Sequence, residues 1–122
     1  MKTRILLVED NPATMEVMQQ ELEILGYDVA VARDGAEAVE MANSELPDLI
    51  IMDILMPKMD GSEATAQIRK NPKTQAIPIL AATAKALPED RERCLASGCN
   101  DYIAKPFSYK DLRDAIERLL KR

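Results

Sequence analysis

Five residues of this chain stand where chemistry could be done: Glu9, Asp10, Asp53, Thr83 and Lys105. Each ends a short apolar run. Ile5-Leu6-Leu7-Val8 leads into Glu9-Asp10, and Leu49-Ile50-Ile51-Met52 into Asp53. Ile79-Leu80-Ala81-Ala82 leads into Thr83, and Tyr102-Ile103-Ala104 into Lys105-Pro106. Runs of that kind read as strands buried on both faces. A carboxylate left at the end of one is costly unless it is neutralised or does chemistry. Three carboxylates near one another repel, and at least one is pushed toward protonation unless a cation intervenes. Lys105 supplies one positive charge. A hard divalent cation would supply the rest, and magnesium suits a site of one or two carboxylates, a carbonyl, waters and phosphate oxygens. A lysine, a hydroxyl and a metal facing one carboxylate are the parts that phosphoryl transfer needs. Asp53 would then be the nucleophile, taking a phosphoryl group to give an acyl phosphate.

The elements that must position these residues alternate. A fifth apolar run, Val29-Ala30-Val31-Ala32, ends in Arg33-Asp34, which offers no comparable chemistry. Asn11-Pro12 caps a first helix and places proline at its first position. Met15, Met18, Leu22 and Leu25 follow at steps of three and four, and Gly26 stops that helix. Asp34 caps a second helix through Asn43, ahead of Pro47. A third runs from about Ser62 to Lys70. A fourth starts near Pro88 and stops at Gly98. Ser108 caps a fifth that carries Leu112, Ile116, Leu119 and Leu120. Five strands alternating with five helices predict an α/β fold, a doubly wound parallel sheet covered on both faces. Its working site lies beyond the carboxyl ends of the strands, at the topological switch point.

Composition narrows the function classes. A chain of 122 residues, 47% of them apolar, suits one domain spanning 1–122. No apolar run approaches the ~20 residues of a membrane helix, and the N-terminal run is too short for a signal peptide. The expectation is a cytoplasmic protein without membrane insertion. Cys94 and Cys99 make no disulfide framework and read as reduced packing residues, Cys99 in a small-residue slot. With no histidine, a structural zinc site is close to excluded, and neither a histidine base nor a phosphohistidine is available. The net charge of −5 argues against direct nucleic-acid binding. Residues 1–63 hold 14 acids and 4 bases, and residues 64–122 hold 7 acids and 12 bases. That asymmetry reads either as two differently solvated surfaces or as a cation site followed by a partner-facing surface.

Four segments, LLVEDN, LIIMDILMPKMDG, ILAATA and NDYIAKPF, stand in order at the strand ends. Together they resemble the signatures of bacterial two-component response-regulator receiver domains, which are CheY-like, and the resemblance covers the whole chain. It implies a flavodoxin-like sheet of order 2-1-3-4-5 and a stand-alone single-domain regulator. It implies Asp53 as phosphoacceptor, with Mg2+ held by Asp10 directly, by Glu9 through water, by Asp53 and by the backbone carbonyl of Leu55. Thr83 is the hydroxyl drawn to the phosphoryl group, Lys105 the lysine that pairs with it, and Tyr102 the switch aromatic. Lys105-Pro106 matches a peptide bond usually cis in the family. Leu55 and Lys85 flank the phosphoryl group and tune dephosphorylation, while the small Ala84 leaves access open. The implied partners are a sensor histidine kinase or histidine phosphotransfer protein and a downstream target protein. The latter is controlled through the surface of the fourth helix, fifth strand and fifth helix.

Taken singly, several of these residues have plainer readings. Asp10 could serve only to start the first helix, Thr83 could be an ordinary strand-end hydroxyl, and Tyr102 plain core. Asp34 reads as a cap and Asp60-Gly61 as turn chemistry. Two other functions compete with a signalling switch. One is a phosphatase or phosphotransferase using a strand-end aspartate and magnesium. Such enzymes commonly carry a second acid two residues after the nucleophile, where this chain has Leu55. The other is an interaction module that never uses its aspartate, which would have no need of all five positions. Neither G-x-x-x-x-G-K-[ST] nor G-x-G-x-x-G occurs, so nucleoside-triphosphate and dinucleotide binding lack their usual loops.

Overall fold

The computed structural model describes residues 2–53, 61–83, 88–105 and 107–121, with the backbone alone at residues 62, 83 and 90. The strands are β1 (Arg4–Val8), β2 (Asp28–Ala32), β3 (Leu49–Asp53), β4 (Ile79–Thr83) and β5 (Asp101–Ala104). They form one parallel sheet of order β2-β1-β3-β4-β5, as expected. The helices are α1 (Pro12–Ile24), α2 (Gly35–Glu45), α3 (Gly61–Lys70), α4 (Pro88–Ala96) and α5 (Tyr109–Leu120). None of the described helices is long and apolar enough to cross a membrane.

The strand runs are apolar throughout because both faces are covered, and successive side chains serve different layers. Leu6, Val8, Ile50, Met52, Ile79 and Ala81 join one cluster with residues of α2, α3 and α4. Ile5, Leu7, Leu49, Ile51, Leu80 and Ala82 join the other with residues of α1 and α5. Residues 5–8, 49–53 and 79–82 are all buried. At ~0.8 kcal/mol per buried methylene, these three strands and their helices supply the main driving force of the fold.

Local chemistry sets the helix ends. The Asn11 side chain accepts from the amides of Ala13 and Thr14 at 3.0 and 3.2 Å, with Pro12 next in line. Asp34 accepts from the Glu37 amide at 2.8 Å and acts as the expected cap. Ser108 and Asp111 form a reciprocal capping box. Gly26, at φ +96°, closes α1. The difference from expectation is α2, which runs to Glu45 rather than Asn43. Leu46 adopts the left-handed conformation at φ 47°, and its amide bonds to Ala42 O at 3.1 Å, so the last turn continues up to Pro47.

Candidate functional site

The site forms at the carboxyl ends of the strands, where the neighbours β1 and β3 end together and Lys105, just after β5, reaches across. Val8 pairs with Met52 in the register, which sets Glu9 and Asp53 on adjacent strand ends. The Glu9 amide donates to Ala32 O at 3.0 Å, prolonging the β1–β2 ladder by one residue. Its carboxylate then turns inward and is 2% exposed. Glu9 Oε2 accepts from the Asn11 amide at 3.2 Å, and Glu9 Oε1 accepts from Lys105 Nζ at 2.7 Å. Asp53 closes β3 and is 6% exposed, with Oδ2 lying 3.6 Å from Lys105 Nζ. Asp10, the next residue after Glu9, is exposed. It does not cap α1, a role Asn11 takes.

Oxygens of Glu9, Asp10 and Asp53 lie within 4.8 Å of one another. Among the described residues the Lys105 ammonium pairs with two of them, and its nearer contact is Glu9 rather than Asp53. Burial pushes the Glu9 carboxyl upward. Hydrogen bonds from Lys105 and the Asn11 amide, together with the charge of Lys105, outweigh it and hold the group below its ordinary value of 4.5. The folded chain therefore releases this proton more readily than the unfolded chain. The stabilisation it brings is present above 4.5 and is lost as pH falls through the lower folded value. In the presence of a chelator, Glu9→Gln is expected to flatten the parent chain's loss of stability as pH falls below 4.5. Urea midpoints across that range would measure it, and parallel acid limbs would place the loss on another group.

The donor set fits magnesium. All the oxygens are hard, two of the three carboxylates are buried, and among the described residues Lys105 is the cation paired with them. Glu9, Asp10 and Asp53 are the described residues that would hold such an ion. The backbone of Thr83 ends β4 and pairs with Ala104, one residue before Lys105, which brings it to the same edge of the sheet. Tyr102 lies on β5 opposite Ala81, half-buried against the α2–α3–α4 layer. It lines a groove of about 620 Å³ with Pro88, Arg91 and Leu95 of α4. Leu55, Ala84, Lys85, Asp60 and Pro106 lie outside the described residues.

One group that the sequence did not point to holds the opposite end of the sheet. Arg69 donates to the carbonyls of Gly98, Gln75 and Ile77 at 3.0, 2.9 and 2.7 Å and to Asn100 Oδ1 at 2.7 Å. Asn100 Oδ1 also accepts from the Ile79 amide at 2.8 Å, so one side chain starts β4 and anchors Arg69. In sequence Arg69 reads only as a base in the last turn of α3.

The sequence matches the family described as response regulator receiver domain over residues 5–117. It is 39% identical to the alkaline phosphatase synthesis transcriptional regulatory protein PhoP of Bacillus subtilis, covering 100% of this chain and 50% of that protein. It is 38% identical to the response regulator MprA of Mycobacterium ulcerans, covering 52% of it. The chain thus spans about half the length of these curated relatives. Among solved structures it resembles the receiver domain of the sensor histidine kinase PA1611 from Pseudomonas aeruginosa, with a TM-score of 0.94 at 43% identity and 100% of both chains covered. That domain carries a magnesium ion coordinated in its active-site cleft. The chemotaxis protein CheY4 of Vibrio cholerae superposes with a TM-score of 0.93 at 31% identity, covering 98% of this chain and 100% of that one.

Proposed function

Because the chain belongs to the response-regulator receiver domain family, we propose that it is a phosphoacceptor switch of a two-component or phosphorelay system. Asp53 receives a phosphoryl group from a histidine of a sensor kinase or phosphotransfer protein. The observation that carries this reading is the buried Asp53 carboxylate, crowded by Glu9 and Asp10 and facing Lys105. An Asp53 oxygen forms the new bond to phosphorus as the bond to the donor nitrogen breaks. Lys105 stands where it can leave Glu9 for the added negative charge. Thr83 supplies a hydroxyl from the end of β4. Residues 1–122 hold no histidine, so the donor histidine lies outside them.

Magnesium, held by Glu9, Asp10, Asp53 and the Leu55 carbonyl, would neutralise phosphoryl and carboxylate oxygens and lower the barrier to their approach. In the family pattern Glu9 acts through water and Asp10 directly. The chain catalyses only its own phosphorylation and dephosphorylation. Output follows from a shift of a two-state equilibrium. Thr83 moves inward, Tyr102 turns with it, and the α4–β5–α5 surface changes for a target protein. The domain itself neither contacts nucleic acid nor enters a membrane, and it works in the cytoplasm.

Intact mass after incubation with acetyl phosphate and magnesium tests the proposal. One added phosphoryl group, magnesium-dependent and labile to hydroxylamine, is expected. No adduct from acetyl phosphate or from a phosphorylated histidine protein would overturn it. A second expectation concerns lifetime. An apolar Leu55 orders attacking water less well than an amide does, so the phosphorylated parent should decay more slowly than Leu55→Asn. Lys85, on the other flank, is the second position set to tune that rate. Equal decay constants would remove Leu55 from the mechanism.

A further inference from the structure

The C-terminal turn of α4 brings the two cysteines of the chain together. Gly98, at φ +117°, donates its amide to Leu95 O at 3.1 Å, and the Cys99 amide donates to Cys94 O at 3.2 Å. These two bonds make a Schellman motif, in which the residue after the glycine meets the residue five places before it. The same motif closes α1, where Gly26 bonds to Glu23 O and Tyr27 to Leu22 O. There the contacting pair is Leu22 and Tyr27, which meet in one core cluster. In α4 the corresponding pair is Cys94 and Cys99, also within one cluster, and both thiols are reduced. Cys99 Sγ further touches Thr65 Oγ1 at 3.8 Å.

Both thiols are buried, at 2% and 6% exposure, yet the helix that covers them is lightly held. Every other described side chain of α4 is exposed, so Cys94 is its only described buried anchor on the sheet. A segment with one small apolar anchor opens at low cost compared with global unfolding. We propose that Cys94 and Cys99 form a cryptic dithiol, reached when α4 lifts and convertible to an intrachain disulfide by a hydroperoxide. One thiol sulfur attacks the peroxide, breaking its O–O bond and releasing an alcohol and a sulfenic acid. The second thiol displaces water from that sulfur, and the S–S bond forms. The two thiols lose two electrons and two protons, and the hydroperoxide is reduced to alcohol and water. The product ties the end of α4 to the start of β5. This site needs no phosphoryl chemistry and is independent of the function proposed above.

Intact mass of the whole chain after mild treatment with tert-butyl hydroperoxide is the test. The expected product has lost two hydrogens, resists a maleimide, regains both thiols with dithiothreitol, and is absent from Cys94→Ser and Cys99→Ser. Gly98→Ala tests the opening step. An added Cβ there meets Arg69 Cγ at 2.8 Å and holds a left-handed angle, so the turn is strained. Maleimide labelling of the reduced variant should rise about tenfold, the factor that left-handed strain supplies, and thiol loss to the hydroperoxide should quicken with it. Circular dichroism would establish that the variant is folded. Separate oxygen adducts on the two thiols of the parent, a disulfide-linked dimer, or thiol loss no faster in folded Gly98→Ala than in the parent would each overturn the proposal.

Discussion

Asp53→Asn is expected to lose all acceptance of phosphoryl groups and, at the same time, to make the fold more stable. The loss follows from chemistry, because an amide oxygen cannot give the acyl phosphate. The gain follows from electrostatics. With an effective dielectric constant of about 20, Lys105 at 3.6 Å attracts Asp53 by roughly 5 kcal/mol. Two carboxylates with oxygens within 4.8 Å of it repel it by roughly 7 kcal/mol or more together. The exposed Asp10 contributes the smaller share of that sum. Burial of the Asp53 charge adds to the cost. Removing the charge should therefore stabilise the metal-free chain by about 1–3 kcal/mol, against a typical total of ~5–15 kcal/mol. Lys105 keeps Glu9 as its partner, so no unpaired ammonium results. Urea midpoints in chelator would record the gain, and intact mass after acetyl phosphate would record the loss.

Magnesium makes the same argument testable from the other side. An ion that binds only the folded state stabilises by RT ln(1 + [L]/Kd), about 2.7 kcal/mol at a hundredfold excess over Kd. The parent chain should gain stability with added magnesium, whereas Asp53→Asn should gain much less. The two curves should converge. An Asp53→Asn variant less stable than the parent in chelator would mean that Lys105 and Asp53 form a structural pair. Stored repulsion at Asp53 would then be excluded.

Most of this site was legible from residue order, because its parts sit at strand ends and strand ends in a parallel sheet converge. Glu9-Asp10, Asp53 and Lys105 meet as their motifs required, and Asn11, Asp34 and Ser108 cap as their types required. Three features were not readable. Lys105 bonds most closely to Glu9, a choice made by side-chain reach inside the folded site, which motif order does not encode. Leu46 carries α2 two residues further than the helix signals suggested. A residue with ordinary steric preferences takes a left-handed angle there, and the Leu46 amide keeps the last turn. Arg69 was hidden for a different reason. Its acceptors are three backbone carbonyls and one side chain, and three of the four lie on segments 8 to 31 residues away. Carbonyls leave no mark in a sequence.

The largest loss of stability is expected at that arginine. Arg69, in the last turn of α3, is half-buried, and all four of its bonds run to neutral acceptors around the amino end of β4. Burial pulls its pKa below the ordinary value, but at neutral pH the guanidinium stays charged, so each bond is charge-assisted. Such bonds are worth ~1.5–3 kcal/mol each when buried, less where the acceptor reaches water. The Gln75 carbonyl bond is exposed and the others are partly buried. Arg69→Ala should therefore cost about 3–4 kcal/mol. Arg69→Lys keeps the charge but not the planar fork, and should recover about a third of that loss. Asn100 makes the sharper test, since its Oδ1 is shared between Arg69 and the Ile79 amide. If the three groups act as one unit, Arg69→Ala combined with Asn100→Ala should cost about 1 kcal/mol or more less than the sum of the single changes. Phosphoryl acceptance at Asp53, at the far end of the strands, should survive in every variant that remains folded. Additive losses would show that the Arg69–Asn100 bond contributes nothing beyond each side chain's separate contacts. A fall in the acceptance rate below the melting temperature would show instead that this end of the sheet sets the geometry of the other.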